Sequence, residues 1–329
     1  MKLIIQIPCY NEEQTLPITF ADLPKEIDGI DTIEYLIIND GSRDRTVEVA
    51  KELGIHYIVD MPNNRGLAKG FMSGIHACLS LGADIIVNTD GDNQYNGHDI
   101  EKLVRPIIDG EAEIVIGDRE TDSIGHFSPL KKKLQKLGSN VVRKASNTEV
   151  SDTTSGFRAY SRDAAMKLNV ISEYTYTLET IIDAGNKKLA IKNVPISTNE
   201  KLRDSRLFSS MWGYIRKSAI TITRTYAMHH ALRLFCMVGI LFILAGLAIG
   251  GSFLVDYITF GGAGHVQSLI LSAIFIIIGV QSIFFGMLAD GISALRKIGD
   301  ELLYRVKKSE YKSQDQKVVH LYKNEDGGE

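Results

Sequence analysis

The stretch Ile85-Ile86-Val87-Asn88-Thr89-Asp90-Gly91-Asp92-Asn93-Gln94-Tyr95 decides how the chain is interpreted, because an apolar run leads straight into two carboxylates. The apolar residues predict a buried strand that ends where Asp90 and Asp92 begin. In an open α/β sheet, ligands bind outside the carboxyl ends of the strands. Alternate carboxylates followed by the amide of Gln94 suit a hard divalent cation, which prefers oxygen ligands. The stretch therefore predicts a site for a metal and a diphosphate, although the same residue types also form ordinary solvated turns.

Composition excludes several classes of protein. The chain has 329 residues, a formal net charge of -3 and three widely separated cysteines, Cys9, Cys78 and Cys236. The near-neutral charge argues against a nucleic-acid partner. Scattered cysteines without a CxxC or Cys/His cluster favour reduced thiols in a cytosolic compartment over disulfides or a zinc site. Because the first residues enter a predicted strand without the pattern of a signal peptide, we expect the chain to begin in the cytoplasm.

Short β-branched runs alternate with helical patterns before residue 200, which predicts βαβ units and a mainly parallel sheet. Predicted strands cover residues 2–8, 34–39, 55–59, 84–89, 113–117 and 189–195. Predicted helices cover residues 12–23, 43–53, 66–81, 97–109, 129–146, 161–168 and 177–186.

Polar clusters follow three of these strands. They are Pro8-Cys9-Tyr10-Asn11-Glu12-Glu13, Asn39-Asp40-Gly41-Ser42-Arg43-Asp44 and Asp90-Gly91-Asp92. Each has a local explanation, because Asn11, Ser42 and Asp44 are residue types that cap helices. All three clusters nevertheless fall at one edge of the predicted sheet. A nucleotide fits there with its base against Pro8 and Tyr10, its ribose near Asp40 and its diphosphate at the metal.

Two uncharged runs, residues 234–255 and 266–289, each suffice for a membrane-spanning helix of about 20 residues. The linker between them contains no Lys or Arg. Basic residues lie outside both runs: Arg216, Lys217, Arg224 and Arg233 before the first, and Arg296, Lys297, Arg305, Lys307 and Lys308 after the second. The positive-inside rule then places both ends in the cytoplasm. The alternative, a buried hairpin in a soluble core, is disfavoured because two such long uncharged runs are rare in soluble folds.

Together these motifs resemble the inverting family-2 glycosyltransferases with the GT-A fold, and more narrowly the polyprenyl-phosphate hexosyltransferases such as dolichyl-phosphate mannose or glucose synthases. The resemblance rests, in order, on Pro8-x-Tyr10-Asn11-Glu12-Glu13, Asp40-Gly41-Ser42-x-Asp44, Asn64-x-Gly66-x-x-x-Gly70, Asp90-Gly91-Asp92-Asn93-Gln94, Gly117-Asp118-Arg119 and Ser155-Gly156-Phe157-Arg158. It implies an α/β fold of GT-A (Rossmann-like) type, with a mainly parallel sheet, a C-terminal amphipathic helix and two transmembrane helices. The C-terminal part is similar to that of membrane-anchored prenyl-phosphate glucosyltransferases, which are typically tetrameric, and so implies a homo-oligomer.

The resemblance also implies roles for individual residues. Donor-nucleotide contacts fall to Pro8, Tyr10, Glu12, Asp40 and Asp90, and Mg²⁺ or Mn²⁺ would be held by Asp90, Asp92 and Gln94. The catalytic set is Asp90, Asp92, Arg119 and Arg158. The acceptor phosphate would be bound by Arg119, Lys131, Lys132, Arg158, Arg203 and Arg206, since a guanidinium matches phosphate oxygens. For Lys131, Lys132, Arg203 and Arg206, the alternative is a solvated surface that faces the membrane.

The implied reaction is metal-dependent transfer of one sugar, with inversion, from GDP-mannose, UDP-glucose or UDP-GlcNAc to a polyprenyl (dolichyl or undecaprenyl) phosphate on the cytoplasmic leaflet. A phosphate monoester has a second pKa of about 6 and is already a charged nucleophile, so no strong general base is required. Glu179 and Asp183 lie where relatives with hydroxyl acceptors carry a base, and we favour a helix-surface or positioning role for Glu179 over a role as base. The implied location is the cytoplasmic (inner) membrane, crossed more than once, with the catalytic domain and both termini in the cytoplasm.

We expect a catalytic domain over residues 1–203, an interfacial amphipathic helix over 204–232, a transmembrane hairpin over 233–290 and a C-terminal helix with a mobile tail over 291–329. The amphipathic helix is predicted from residues at helical spacing, namely Leu207, Met211, Ile215, Ala219, Ile222 and Tyr226, joined by Phe208 and Trp212. Its basic residues would attract anionic headgroups. Packing under the sheet or against a neighbouring subunit is the alternative. The tail after Leu303 lacks an apolar stripe, which predicts mobility.

Two other functions fit parts of the sequence. A processive polysaccharide synthase usually carries a Gln-x-x-Arg-Trp motif and more membrane spans, whereas the single tryptophan here, Trp212, follows Ser-Ser-Met. A non-catalytic assembly protein could use a decayed transferase fold, but the intact Asp90, Asp92 and Gln94 argue against decay.

Overall fold

The computed structural model describes residues 1–119, 140–143, 146–171, 175–200, 211–261, 266–313 and 321–323. The chain divides into two compact units, one of Met1–Ile222 with Leu303–Glu329 and the other of Thr223–Leu302. The finer division into four parts stays a prediction.

A mixed sheet forms the centre of the first unit. The strands among the described residues are β1 (Lys2–Cys9), β2 (Thr32–Asp40), β3 (Tyr57–Met61), β4 (Ile85–Asn88), β5 (Ile114–Asp118), β6 (Arg158–Ser161), β7 (Ile191–Pro195) and β8 (Leu321–Lys323). Their order is β7-β5-β6-β4-β1-β2-β3-β8. β1 pairs in parallel with β2 and β4, β2 pairs in parallel with β3, and β5 pairs in parallel with β7. Only β6 and β8 run antiparallel to their neighbours in this sheet. The predicted α/β fold with a mainly parallel sheet is therefore confirmed.

Helices cover both faces of this sheet. They are α1 (Leu16–Ala21), α2 (Thr46–Glu52), α3 (Leu67–Ser80), α4 (Ile100–Ile108), α5 (Arg162–Lys167) and α6 (Thr177–Asn186), and a 3₁₀ turn at Gly97–Asp99 precedes α4. Along β1, Leu3, Ile5 and Ile7 join one hydrophobic core, while Ile4 and Gln6 are buried on the opposite face. Burial on both faces explains why the strand reads as a nearly continuous apolar run rather than as an alternating one. The predicted helix over 129–146 lies mostly outside the described residues.

The short strand β6 was not predicted from the sequence. It lies between β4 and β5 and runs antiparallel to both. It has only four residues and begins with a charged one, Arg158. Such a segment lacks the apolar run by which the longer strands are recognised.

The segment after Leu303, much of which was expected to be mobile, is helical as far as Ser313 in the part that the structure describes. α8 (Val266–Ser313) continues well beyond Leu303, and β8 adds to the edge of the sheet next to β3. Lys307 is buried, and its Nζ donates to the carbonyl oxygen of Leu168 at 3.1 Å. The Tyr304 hydroxyl donates to Asp163 at 2.6 Å, and the hydroxyl of Tyr311 lies 2.8 Å from His76 Nδ1. These tertiary contacts order a segment that has no apolar stripe of its own.

The second unit contains parts of two long helices, α7 (Met211–Phe260) and α8. Within the described residues, His230–Thr259 and Val266–Tyr311 are long and apolar enough to cross a membrane, by length and composition. The two helices approach closely at small residues, because a Cβ on Gly279 would lie 2.7 Å from the carbonyl oxygen of Gly239. Ser272 also donates to the carbonyl oxygen of Gly246 at 2.7 Å. The two predicted apolar runs are therefore helical candidates for membrane spans.

The predicted amphipathic segment is described only in part. Residues 201–210 lie outside the described residues, and α7 is helical from Met211. Among the side chains that are described, Ala219 and Ile220 are exposed and Ile222 is half-buried. The interfacial role of this segment stays a prediction.

Candidate active site

Two loops that follow β1 and β2 are tied together by hydrogen bonds between side chains and backbone. The Asn11 N–H donates to Ser42 Oγ at 2.9 Å, and the Arg43 N–H donates to Asn11 Oδ1 at 2.8 Å. One residue further on, the Glu12 N–H donates to Thr46 Oγ1 at 2.8 Å. Asn11 has a φ of 56°, in the left-handed region that Asn tolerates better than most residues. The carboxyl ends of two neighbouring strands are thus fixed as one polar surface.

These contacts explain why the first two helices begin later than predicted. The N-cap positions of α1 and α2 are Thr15 and Arg45, and neither side chain makes a capping hydrogen bond. Asn11 and Ser42, which the sequence offered as caps, instead bond the partner loop. The residue types suited to capping and to loop crosslinking are the same, so the sequence alone could not separate the two roles.

Asp40 joins the end of β2 to the loop that leads into α3. Its two carboxylate oxygens accept the N–H groups of Arg65 at 2.6 Å and Gly66 at 3.0 Å. The loop passes so close to Gly41 that a Cβ there would lie 2.5 Å from the backbone nitrogen of Asn64. An ionised carboxylate can accept about four hydrogen bonds. Asp40 can therefore hold this loop and still accept a ribose hydroxyl, which is the role predicted for it.

The other residues predicted to bind the donor differ in exposure. Tyr10 is 37% exposed at the end of β1, where a base could stack on its ring. Pro8 is half-buried within β1. Glu12 is buried, and its carboxylate accepts a hydrogen bond from the Thr15 hydroxyl at 2.5 Å. The geometry of Glu12 favours support of the loop over direct contact with a base.

Asp90 and Asp92 follow β4, at the same edge of the sheet as the two crosslinked loops. Asp92 accepts hydrogen bonds from Gln94 through both carboxylate oxygens, from the side-chain amide at 2.9 Å and from the backbone N–H at 3.3 Å. Burial, followed by the charges of Glu12, Asp44, Asp90 and Asp92, raises the pKa of the Cys9 thiol well above its usual range. Carboxylates thus surround Cys9, and their combined field attracts cations.

The types of donor atom in this stretch fit a hard divalent cation. In the described part of the chain, no three His, Cys, Asp or Glu side chains converge as a closed metal site. Mg²⁺ is commonly held by one or two carboxylates together with the phosphate oxygens of a substrate. Two carboxylates and an amide oxygen suit this arrangement, in which a nucleotide diphosphate completes the coordination.

The chain on the far side of Gln94 holds this stretch in place. Tyr95 forms an antiparallel bridge with Thr198, and the Asn199 N–H donates to the carbonyl oxygen of Gln94 at 3.0 Å. Asp99 accepts the backbone N–H of Ser197 at 2.6 Å. Side chains on a stretch fixed at both ends keep a defined geometry, which a binding site requires.

Gly156 packs directly against Asp90. A Cβ at position 156 would lie 3.3 Å from Asp90 Oδ1 and 3.0 Å from the hydroxyl of Tyr176. The Gly156 N–H donates to the Tyr95 hydroxyl at 3.0 Å, and the Tyr95 ring stacks on Phe157 with ring centroids 4.9 Å apart. Sequence reasoning recognised Gly156 as part of a motif but missed Tyr95 and Tyr176, because isolated tyrosines carry no sequence signal for this placement.

Arg119 forms a paired contact just after β5. Its Nε and Nη2 donate to the two carboxylate oxygens of Asp152 at 2.6 and 3.0 Å, and Nη2 also donates to Thr154 Oγ1 at 2.8 Å. Burial alone would lower the pKa of the Arg119 guanidinium. The effects of Tyr95 and Asp152 are larger than that of burial, so the pKa is raised. Burial likewise opposes the charge on Asp152, but Arg119 holds the pKa of that carboxyl below its usual value. The catalytic and phosphate-binding roles of Arg119 stay predictions.

Arg158 is 1% exposed and bonds only to groups of the protein that are themselves buried. Its guanidinium donates to the carbonyl oxygens of Ser155 at 2.8 Å, Thr177 at 3.0 Å and Thr153 at 3.1 Å, and to the Thr180 hydroxyl at 2.7 Å. A phosphate could reach this group only if these bonds were broken. The predicted catalytic and phosphate-binding role stays untested, and the buried geometry favours a positioning role.

The remaining predicted residues divide into two sets. Glu179 is buried and accepts the backbone N–H of Ile171 at 3.0 Å, and Asp183 accepts Lys187 Nζ at 2.7 Å. Both placements favour support of the fold over a role as general base. The other predicted phosphate ligands lie outside the described residues: Lys131, Lys132, Arg203 and Arg206.

Comparison with known proteins supplies an independent line of inference. Residues 4–168 match the family described as "Glycosyl transferase family 2". The chain is 33% identical over 202 residues to the uncharacterized protein MJ1222 of Methanocaldococcus jannaschii, covering 60% of this chain and 81% of the relative. It is 32% identical over 216 residues to the UDP-N-acetylglucosamine--dolichyl-phosphate N-acetylglucosaminyltransferase of Methanococcus voltae, covering 58% and 83%. It is 25% identical over 236 residues to the undecaprenyl-phosphate mannosyltransferase of Micrococcus luteus, covering 68% and 93%.

A solved structure with a similar fold is glucosyl-3-phosphoglycerate synthase from Mycobacterium tuberculosis in complex with Mn²⁺, UDP and phosphoglyceric acid. The TM-score is 0.55 at 19% identity, over 68% of this chain and 78% of that one. This likeness confirms the GT-A fold that the sequence motifs implied.

Proposed function

Because this chain belongs to glycosyl transferase family 2 and is a glycosyltransferase, we propose that it transfers one sugar from a nucleotide-sugar to a polyprenyl phosphate at the surface of a membrane. The observation that carries the proposal is the presence, in one chain, of a family-2 site and two helices that are apolar enough to cross a membrane. An enzyme whose acceptor is a lipid benefits from a fixed position at the bilayer, because the reactants are then held close together.

The names of the relatives support this acceptor. The Methanococcus voltae relative is named for dolichyl phosphate, and the Micrococcus luteus relative is named for undecaprenyl phosphate. Both acceptors are polyprenyl monophosphates, and this shared class is the one that we assign to the present chain. The transferred sugars in the two names differ, so we propose only that the donor is a nucleotide-sugar, with UDP-GlcNAc, UDP-glucose and GDP-mannose as candidates.

In the proposed site, the donor lies across the carboxyl ends of β1, β2 and β4. Tyr10 and Asp40 contact the base and ribose, and Asp90 contacts the nucleotide-sugar. Asp92 and Gln94 hold Mg²⁺ or Mn²⁺, which would neutralise charge on the departing nucleoside diphosphate. Gln94 Nε2 donates to the Asp92 carboxylate at 2.9 Å, which holds these two side chains next to each other.

The acceptor phosphate attacks the anomeric carbon of the sugar while the bond to the nucleoside diphosphate breaks. One displacement of this kind inverts the configuration at that carbon. A phosphate monoester is already charged at neutral pH, since its second pKa is about 6. The chain therefore needs no general base, which agrees with the burial of Glu179 among backbone groups.

We further propose that both termini and the transferase unit face the cytoplasm, because basic residues lie on the outer flanks of both apolar runs and none lies between them. The acceptor is then taken from the cytoplasmic leaflet. A homo-oligomer, tetrameric by resemblance, belongs to the same proposal.

The test is a transfer assay with the purified full chain in detergent. Undecaprenyl phosphate or dolichyl phosphate is incubated with Mn²⁺ and each of the three labelled donors, and the label in the organic phase is measured. We expect one donor to give label that disappears when EDTA is added. Absence of lipid label from every donor, by protein that binds a nucleotide-sugar, would overturn the proposed acceptor.

A further inference from the structure

We propose that a buried chain of hydrogen bonds, formed by Gln6, Asn88, Tyr176 and Gly156, positions the Asp90 carboxylate for the sugar-bearing donor, with Tyr176 as its main positioning residue. We call this set the Tyr176 network. The inference rests on the proposed role of Asp90 in the donor site. The residues of the Tyr176 network contact neither substrate, but they determine the position of Asp90, which contacts the donor.

The hydrogen bonds of the Tyr176 network run without interruption from β1 to Gly156. Gln6 Nε2 donates to Asn88 Oδ1 at 2.9 Å. Asn88 Nδ2 then donates both to the Tyr176 hydroxyl and to the carbonyl oxygen of Gly156, each at 2.9 Å. The Tyr176 hydroxyl in turn donates to the same carbonyl oxygen at 3.3 Å. Gln6, Asn88 and Tyr176 are each at most 1% exposed, so water does not compete for these bonds.

The Tyr176 network ends at the residue against which Asp90 packs. A Cβ on Gly156 would lie 3.3 and 3.4 Å from the two carboxylate oxygens of Asp90. The Gly156 N–H is fixed as well, by its bond to the Tyr95 hydroxyl. The Gly156 peptide is therefore held through both its N–H and its carbonyl group, and Asp90 rests on a surface that cannot shift freely.

The pKa of the Tyr176 hydroxyl also indicates that this group lies close to Asp90. Burial, followed by the charge of Asp90, raises the pKa of the Tyr176 hydroxyl well above its usual range. The charge on Asp90 thus lies close enough to this hydroxyl to be affected by any change in its position.

A second buried tyrosine shows that packing alone does not require a hydrogen-bonded hydroxyl here. Tyr160 and Tyr176 both contact Phe71, with ring centroids 5.8 and 3.8 Å from it. The Tyr160 hydroxyl lies near the side chains of Arg158 and Thr180, but within the described residues it makes no hydrogen bond of normal geometry. The Tyr176 hydroxyl, by contrast, accepts a hydrogen bond from Asn88 and donates one to the carbonyl oxygen of Gly156. The two tyrosines also form a matched pair for mutagenesis.

The first experiment compares Tyr176→Phe with Tyr160→Phe in the full chain, using the lipid transfer assay. Each change removes one buried hydroxyl and keeps the ring. We expect Tyr176→Phe to lower kcat about tenfold and to leave KM for the polyprenyl phosphate within about twofold, because the defect lies on the donor side. We expect Tyr160→Phe to stay within about twofold of wild type in both constants. Equal losses in the two variants, or no loss in either, would overturn the proposal.

The second experiment measures donor binding and needs no acceptor. Kd values are measured with Mn²⁺ for each of UDP-GlcNAc, UDP-glucose and GDP-mannose, and for UDP and GDP. We expect Tyr176→Phe to weaken the bound nucleotide-sugar about fivefold more than its nucleoside diphosphate, and to add nothing further in an Asp90→Asn background. Equal weakening of both ligands, or additive effects in the double variant, would show that Tyr176 does not act through Asp90.

Gly156→Ala perturbs Asp90 directly, and it provides a second test of the proposal if Tyr176→Phe does not fold. Its methyl group would press on the Asp90 carboxylate and on the Tyr176 hydroxyl. We expect the same selective loss of affinity for the nucleotide-sugar. If wild type labels no lipid, the proposed acceptor fails, and the binding comparison still decides the Tyr176 network on its own.

Discussion

Asp90 and Asp92 stand two residues apart, yet their surroundings give them different tasks. Asp90 packs on Gly156 and lies close to the neutral Tyr176, whereas Asp92 is bonded through both oxygens to Gln94. The first arrangement fixes the position of a carboxylate. The second keeps two oxygen-bearing side chains together, as a shared cation would require.

Replacement of Asp92 by Ala removes one of these oxygen donors. We expect the metal-dependent transfer rate to fall at least about 100-fold, because charge on the departing diphosphate would no longer be neutralised. The unfolding temperature should stay close to that of wild type. The measurement is label transferred to lipid as a function of Mn²⁺ concentration. Asp109→Ala, at an exposed aspartate after α4, is the control. Transfer by Asp92→Ala at more than a tenth of the control rate would contradict the assignment.

Arg158 illustrates how a motif residue can serve the fold. Arg158→Met keeps much of the volume but removes a donor from three buried carbonyl oxygens, of which that of Thr177 keeps a second bond, from the Thr180 hydroxyl at 3.2 Å. We expect the free energy of unfolding to fall by at least about 2 kcal/mol. Denaturant unfolding in detergent measures this loss, and Arg158→Lys should restore little of it, because an ammonium cannot reproduce the planar fork. Unchanged stability with a higher KM for the lipid phosphate would instead support the phosphate-binding role first predicted.

At the scale of elements, the C-terminal end of α8 packs on α3 and α5 through polar contacts rather than an apolar stripe. The most informative of these contacts joins His76 on α3 to Tyr311. Burial, with a smaller contribution from Lys307, lowers the pKa of His76 from 6.5 to about 4. The folded protein therefore favours neutral His76.

This pKa shift predicts how stability depends on pH. A histidine whose pKa is lowered by folding contributes fully above its unfolded pKa, and the contribution is lost as the pH falls from 6.5 through about 4. We expect the unfolding temperature of wild type to fall over this range and that of His76→Gln to fall less. His98→Gln removes an imidazole that is 79% exposed and lies 3.6 Å from Asp22; because an exposed ion pair contributes little to stability, this variant should behave nearly like wild type. Parallel curves for wild type and His76→Gln would contradict the expected linkage.

At the scale of the whole molecule, the unit that contains the candidate site is discontinuous in sequence. It combines Met1–Ile222 with Leu303–Glu329, and the intervening residues form the unit with the two apolar helices. The segment after residue 302 thus belongs to the transferase unit by its contacts. In the sequence, the unit with the two apolar helices is therefore inserted between two segments of the transferase unit.

Truncation tests this assignment. A chain that ends at Leu302 loses the contacts of Tyr304, Lys307 and Tyr311 with the first unit. We expect this chain to show a lower unfolding temperature and weaker transfer than a control chain that ends at Lys323. The unfolding temperatures of the two chains would be measured by thermal unfolding, followed with a probe that binds at the donor-nucleotide site. Identical unfolding temperatures would show that the segment is dispensable for the unit.

Much of this organisation could be predicted from the sequence, because it depends on patterns within short segments. The apolar run before Asp90 predicted β4, and the uncharged runs predicted two long apolar helices. Three features could not be predicted in this way. β6 is too short and begins with a charge, Asn11 and Ser42 suit caps as well as crosslinks, and Lys307 donates to a carbonyl oxygen that is far away in the sequence. In each case the structure is determined by a tertiary interaction, which cannot be predicted from the propensities of neighbouring residues.

The most direct test of the central claim compares acceptors that differ only at the reacting group. The full chain is given Mn²⁺, its active donor and either a polyprenyl phosphate or the corresponding polyprenol; the labelled product is identified by mass spectrometry and its anomeric configuration is determined by NMR. The account predicts a sugar joined through the phosphate, with the anomeric configuration inverted, and no product from the polyprenol. Transfer to the polyprenol at a comparable rate would contradict it, because the reaction would then require a general base that the proposed site does not use.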